Sequence, residues 1–182
     1  GLPTGIQQTF VAAGMMALIS IVNRFGTDVI AAYSVATRID SLASMPAMNF
    51  AAALATFVGQ NLGAKKINRV RTGFVATLKM TSILAITVSA SILLWGSHMV
   101  SLFTNDPEVI RIGTEYLVIV GAFYIVFTSM FTISGVLRGA GDTLIPMFIS
   151  LAALWVIRIP GAWFLSQRIG EKGIWWAIPI GW

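Results

Sequence analysis

The chain has 182 residues, 57% of them hydrophobic and only 10% charged, with a formal net charge of +5 and a mean hydropathy of +0.83. Soluble domains carry about 25% charged residues, so a fold wetted on every side is excluded, and the basic residues fall between apolar blocks rather than on a polar face that nucleic acid would use. With no cysteine there is no disulfide framework and no thiolate metal site.

Six apolar blocks follow one another. The first, 2–25, begins in GLPTGIQQ and ends at the polar break around Arg24, Gly26 and Asp28. Gln7, Gln8 and Thr9 form a polar step in it, able to hydrogen-bond to neighbouring helices or to face a substrate. The second, 29–62, would be roughly 50 Å long as one helix. That exceeds a hydrocarbon core, so it must tilt, bend or protrude, and Pro46 predicts a kink. Its segment YSVATRIDSLASMP sets Thr37, Asp40, Ser41 and Ser44 on one helical face, where they can line a cavity or gate. An acid inside an apolar helix is a functional candidate by default, and Arg38, two positions away, points elsewhere. The block ends in GQNLGAKKINRVRTG: Gly59 and Gly63 permit a close helix approach or a helix end, and Lys65, Lys66, Arg69 and Arg71 stand without an acid among them.

The third block, 73–103, carries Lys79 at a depth where it snorkels and His98 near its far end. In the following NDPEV, Asp106 is an N-cap, Pro107 suits the first helical position and Glu108 meets the positive helix end. The fourth block, 109–137, has Glu115 about two turns in, at interfacial depth. It ends in RGAGDT, where Gly139 and Gly141 permit a tight turn, Asp142 caps the next helix and Arg138 meets the carbonyl end of the last one. The fifth, 144–165, contains Pro146 and Pro160. Arg158 lies deep in it and can serve carbonyls freed by Pro160 or reach the interface. The sixth, 174–182, is too short to cross a bilayer. Met15, Met16, Met45 and Met48 can soften a promiscuous cavity, and Trp155, Trp163, Trp175 and Trp176 flank one boundary as an aromatic belt.

A spanning helix needs about 20 apolar residues, which the first five blocks supply. A membrane barrel needs alternating segments of about 10 residues, which these blocks are not. The expectation is an all-α, polytopic membrane bundle of five complete helices and the start of a sixth. Both ends fall in apolar stretches, so the sequence is expected to be a piece of a longer chain. Alternate breaks face opposite sides of the membrane. Lys65, Lys66, Arg69, Arg71 and Arg138 fall on one side; Arg24, Arg111, Arg168 and Lys172 fall on the other. The density of charge in the Lys65–Arg71 break places that side in the cytoplasm.

Enzyme chemistry finds no footing. His98 is the single histidine, which rules out an HExxH zinc site and a His-Cys triad. GQNLGAKK has Ala64 where a phosphate loop needs glycine before Lys65, and it lacks the Ser or Thr after the lysine. GAGDT lacks the third glycine of a dinucleotide fingerprint. No metal and no organic cofactor is expected.

In combination, GLPTGIQQ, FGTDVIAAYSVATRIDSLASMPAMNFAAALATFVGQNLGAKKINRV, SGVLRGAGDTLIPM and WVIRIPGAWFL resemble the carboxy-terminal half of the multidrug and toxic compound extrusion (MATE) transporters, over essentially the whole chain. The resemblance implies one six-helix lobe of a two-lobe, twelve-helix transporter, this chain supplying helices seven to eleven and the start of twelve. It further implies proton- or sodium-coupled antiport that exports cationic or amphipathic compounds, in the plasma membrane, with the bacterial inner membrane as the expected site. The partners implied are the amino-terminal lobe of the parent chain, the bilayer and small-molecule substrates. Some members pair a glutamate on helix seven with an aspartate on helix ten. This chain has Gln7 and Gln8 but no acid on helix seven, and no acid around Phe127 and Thr128, so coupling falls to Asp40 or to the other lobe. Two other readings remain at this stage. A lipid-linked sugar flippase would want a more cationic cavity than Arg38 and Arg158 provide. A noncatalytic membrane scaffold would surround Asp40 with lipid or tight packing.

Overall fold

The structure, a computed structural model, describes residues 2–182, with side chains from residue 5 onward; Gly1, at the head of the GLPTGIQQ segment, lies outside the described residues. Helix α1 is Leu2–Val22, extended by a 3-10 turn at Asn23–Phe25, followed by α2 (Thr27–Gly63), α3 (Ile67–Ser101), α4 (Pro107–Gly121) and α5 (Tyr124–Gly139). The chain continues through α6 (Leu144–Ala152), a π-turn at Ala153–Arg158, α7 (Ile159–Ile169) and α8 (Glu171–Ile180). No strand occurs among the described residues. Four segments are long and apolar enough to cross a membrane: Gly5–Phe25, Thr27–Gly63, Ile67–Ser101 and Leu144–Ile169. The bent pair α4 and α5 makes a fifth, and α8 begins the next. Large apolar side chains face outward all round, such as Leu94, Val156 and Ile83 at 70%, 71% and 66% exposure, which suits lipid and not water.

Short polar sequences start and stop these helices. The Asp106 carboxylate accepts from the backbone N–H of Glu108 at 2.8 Å and of Val109 at 3.3 Å, and Pro107 takes the first helical position. Asp142 does the same for α6, accepting from Leu144 and Ile145 at 3.1 and 3.0 Å. Helices α2 and α5 close alike. Lys66 N–H bonds Asn61 carbonyl and Asp142 N–H bonds Leu137 carbonyl, each five residues back, around a left-handed residue. That residue is Gly141 (φ 92) in one case and Lys65 (φ 57) in the other. Gly63, two residues before Lys65, remains helical.

The structure revises some of these expectations. The 109–137 block is not one helix: α4 and α5 meet at 51°. The break has no proline. Instead the Ser89 hydroxyl of α3 donates to the Gly121 carbonyl at 2.6 Å, taking an acceptor from the helical ladder. The basic residues Arg69 and Arg71 belong to the first turns of α3 and not to a loop, because Lys and Arg are good helix formers. Helix α2 is assigned as one helix of 37 residues with Pro46 inside it. Similarly, α8 starts at Glu171, its polar first turn having hidden it from an apolar count.

Packing divides the lobe into two halves. Towards the α3–α4 turn, bulky residues of α2, α3, α4 and α8 form the core, with Leu117, Val100 and Trp175 fully buried. Towards the basic turn, α2 and α5 approach through small residues. A Cβ on Gly135 would lie 2.6 Å from the Ala51 carbonyl oxygen, and one on Gly139 would collide with the Ala55 carbonyl. Thr81 of α3 and Thr132 of α5, both fully buried, join hydroxyls at 3.3 Å beside this contact. Helix α1 lies apart from α2 and packs chiefly on α6 and α7.

Candidate functional site

Asp40 is four turns into α2, a depth at which an unpaired carboxylate in lipid is expensive. Its side chain turns inward, towards the α4–α5 break. Tyr124, in the first turn of α5, donates its phenol to one carboxylate oxygen. Tyr116, in α4, donates to the other at 3.4 Å. The two tyrosines are eight positions apart, about 12 Å along a straight helix. The bend between them lets both phenols reach one carboxylate, so Ser89, which props the break, shapes the site from behind.

An aromatic cluster backs the carboxylate. Tyr33, two turns before Asp40, stacks on Trp175 of α8 with ring centres 5.6 Å apart and planes within 6°. Tyr116 stands edge-on to both, at 5.9 and 5.1 Å. Such contacts add about 0.5–1.5 kcal/mol each beyond area burial. On the other side Tyr124 meets Trp182 at 6.2 Å and Phe127 at 6.4 Å. Arg158 stands on the π-turn, its Cβ 3.0 Å from where a Cβ on Gly181 would lie. Its Nε is buried without a hydrogen-bond partner, and no ion pair joins it to Asp40 among the described residues.

The other candidates from the sequence are spread more widely. The Thr37, Ser41 and Ser44 hydroxyls turn back onto carbonyls of their own helix, those of Tyr33, Thr37 and Ser41 respectively. Ser41 is exposed, while Ser44 borders a void of about 10 Å³ shared with Tyr124 and Thr128, room for about one water. Gln7 is buried in α1 and Gln8 exposed beside it. Pro46 lines an open groove of about 430 Å³ with Leu42, Met45, Asn49, Phe50 and Ala53. This groove is on the face of α2 opposite Asp40. Gly59 sits against the carbonyl of Gly139 at 3.3 Å from its would-be Cβ, whereas Gly63 has open space. Gly139 therefore serves helix contact and Gly141 the turn. Arg138 is exposed in the last turn of α5. Pro160 follows the π-turn, whose closing bond runs from Ile159 N–H to the Leu154 carbonyl.

Sequence reading missed the tyrosines. The chain has three, and all three gather around Asp40. That coincidence of rare phenols inside apolar blocks is a signal, but only if the fold is known to bring positions 33, 116 and 124 together. Glu115, read at interfacial depth, bridges Arg111 of its own helix at 3.0 Å and Lys172 of α8 at 3.2 Å.

Residues 3–164 match the sequence model of the MatE family. Over 174 residues the chain is 31% identical to the probable multidrug resistance protein YpnP of Bacillus subtilis, covering 96% of this chain and 39% of that one. Its fold superposes on an inward-facing multidrug resistance MATE family transporter of the MOP superfamily with a TM-score of 0.89 at 22% identity, over all of this chain and 42% of that one. For an outward-facing conformation so described the TM-score is 0.90, again at 22% identity, over all of this chain and 41% of that one. The chain spans about two fifths of the length of the curated relatives it matches.

Proposed function

The chain belongs to the MatE family, and we propose that it is the carboxy-terminal lobe of an ion-coupled exporter of cationic or amphipathic compounds. The family is one of multi-pass membrane transporters and not of enzymes. The observation that carries the proposal is Asp40: one half-buried carboxylate, held by two phenols at a broken helix. Discontinuous helices near the midplane are where secondary transporters place their ion sites.

The mechanism follows from α2 having two faces. Asp40 faces inward to Tyr116 and Tyr124; Leu42, Met45 and Asn49 line the groove on the outward face. A proton or sodium ion taken by the carboxylate replaces or reorients its phenol bonds. Any resulting shift of α2 reaches the groove at once, because one rigid helix carries both. The apolar and thioether groove wall offers dispersion contact to amphipathic compounds of varied shape. The equal fit of this lobe to inward- and outward-facing relatives supports a lobe that moves as a body against an amino-terminal partner. The basic α2–α3 turn faces the cytoplasm of a bacterial inner membrane in this reading.

The test uses the parent chain with both lobes, in proteoliposomes loaded with ethidium, under separate pH and sodium gradients. One gradient is expected to drive ethidium movement, and Asp40→Asn is expected to reduce it at least about tenfold with normal expression, the scale of a lost ion-coupling interaction. Ethidium movement that ignores both gradients, or an Asp40→Asn variant that transports normally, removes this assignment.

A further inference from the structure

The two ends of the lobe carry charge differently. Near the α3–α4 turn, cations meet anions of the same chain: Arg111 bonds Glu108 at 2.6 Å and Glu115 at 3.0 Å, and Lys172 meets Glu115 at 3.2 Å. At the opposite end Lys65, Lys66, Arg69, Arg71 and Arg138 are all exposed. None of them forms an ion pair among the described residues. The ends of α2 and α5 lie side by side there, a Cβ on Gly59 falling 3.3 Å from the Gly139 carbonyl oxygen. Asp142 is the single acid in the two turns, and its Oδ1 is taken up in capping α6. Helix α3 starts with no side-chain cap and no acid in its first turn, where the helix dipole favours a negative charge. The chain leaves this end without its counter-charge.

Depth puts these cations at a bilayer surface. Helix α3 has 35 residues, about 52 Å of helix against about 30 Å of hydrocarbon. Centred on the hydrocarbon, it leaves about seven residues at headgroup level at each end. Here that stretch is 67–73, which holds Arg69 and Arg71. Those two stand about 200° apart around the helix. No single small anion takes both, whereas a layer of headgroups meets each where it points. Ile67, 69% exposed in the same turn, sets an apolar side chain among the cations. Water or an acidic protein surface gains nothing from it, while acyl chains beneath charged headgroups cover it.

We propose that this end of the lobe is a docking surface for anionic phospholipid. Phosphatidylglycerol-type headgroups of the adjoining leaflet gather around Lys65, Lys66, Arg69, Arg71 and Arg138 and supply the missing negative charge. Basic segments flush with a membrane span select anionic lipid through their summed charge. The bound headgroups hold the α2–α3 and α5–α6 turns at the membrane surface. This selection is independent of Asp40 and of any coupling ion.

The test uses the two-lobe parent protein, otherwise free of cysteine, with a bimane fluorophore on one of two sites of α3. Val75→Cys, on an exposed position below the cations, reports this end; Leu94→Cys, also exposed, reports the other. In phosphatidylcholine vesicles, phosphatidylglycerol with brominated acyl chains is expected to quench the Val75→Cys label at about fivefold lower mole fraction than brominated phosphatidylcholine, the weight of roughly one surface cation. The Leu94→Cys label is expected to show no such preference. Combining Lys65→Gln, Lys66→Gln, Arg69→Gln and Arg71→Gln is expected to abolish the preference at Val75→Cys. Equal quenching by the two lipids there, the same preference at Leu94→Cys, or a preference that survives the four substitutions overturns the inference. Inorganic phosphate added at constant ionic strength is expected to change nothing; phosphate that displaces the lipid would mark a discrete anion site and also overturns it. If the fourfold variant does not fold, the unsubstituted cations are tested in about 1 M salt, where the Debye length is about 3 Å. The preference is expected to vanish there, and one that persists refutes a charge-selected surface.

Discussion

Asp40 shows how one side chain in lipid is made tolerable. Each hydrogen bond to a charged group is worth roughly 1.5–3 kcal/mol, and more is lost when a buried partner is stranded. The two phenols are not equal. Tyr124 makes the closer contact and Tyr116 the longer, at 3.4 Å, while Tyr116 is also fixed by edge contacts to Tyr33 and Trp175. Tyr124→Phe is therefore expected to destabilise the parent protein by about 1–3 kcal/mol and to change the ion dependence of transport. Tyr116→Phe should do less of both. Thermal unfolding in detergent alongside ethidium transport checks the order, and a larger effect from Tyr116 would show that the ring cluster dominates over the hydrogen bonds. From the sequence, Asp40 was legible as a lone acid in an apolar helix. Its partners were not, because hydrogen bonds between positions 40, 116 and 124 depend on a helix break that no proline announces.

Among the elements, the pairing of α2 with α5 is the most extensive in the lobe, and it rests on the absence of side chains. Gly135 admits the Ala51 carbonyl so closely that any added carbon must push the backbone away. Gly135→Ala is accordingly expected to cost about 1–3 kcal/mol, as overpacking does. Gly63→Ala, with nothing within 4 Å of the new carbon, should be neutral or mildly stabilising by up to about 1 kcal/mol, because alanine is the better helix former. Comparing the two variants by thermal unfolding separates close packing from helix propensity; equal losses would disprove the packing account. The same contact explains why RGAGDT divides its duties. Gly139 touches α2 and Gly141 turns the chain, a division that sequence spacing cannot distinguish because both positions simply read as glycine.

At the scale of the whole lobe, the alternation of spans puts the α2–α3 and α5–α6 turns on one side. Gly59 and Gly139 lie in contact there. The Lys172–Glu115 bridge ties the first turn of α8 to the middle of α4 towards the other side. Four cations crowd the first side even though Lys65, Lys66, Arg69 and Arg71 stand at or near the N-terminal end of α3, where a helix dipole disfavours them. The proposed orientation, with this side in the cytoplasm, would account for that placement where local helix stability does not. A membrane-impermeant maleimide applied to intact cells is expected to label Asn105→Cys in the parent protein and to spare Lys66→Cys; the reverse pattern would invert the topology. The sequence by itself determined the helical class and the run of apolar segments long enough to span, because burying unpaired backbone in lipid is forbidden and only apolar helices of sufficient length avoid it. It also determined the caps at Asp106 and Asp142, which act within one turn of chain. Only the tertiary structure decided the break at Gly121, the gathering of three tyrosines around Asp40, and the opposite placement of the groove beside Met45 and Pro46. Those depend on which helices touch, and contact between distant segments is set by packing of whole surfaces that no local pattern encodes.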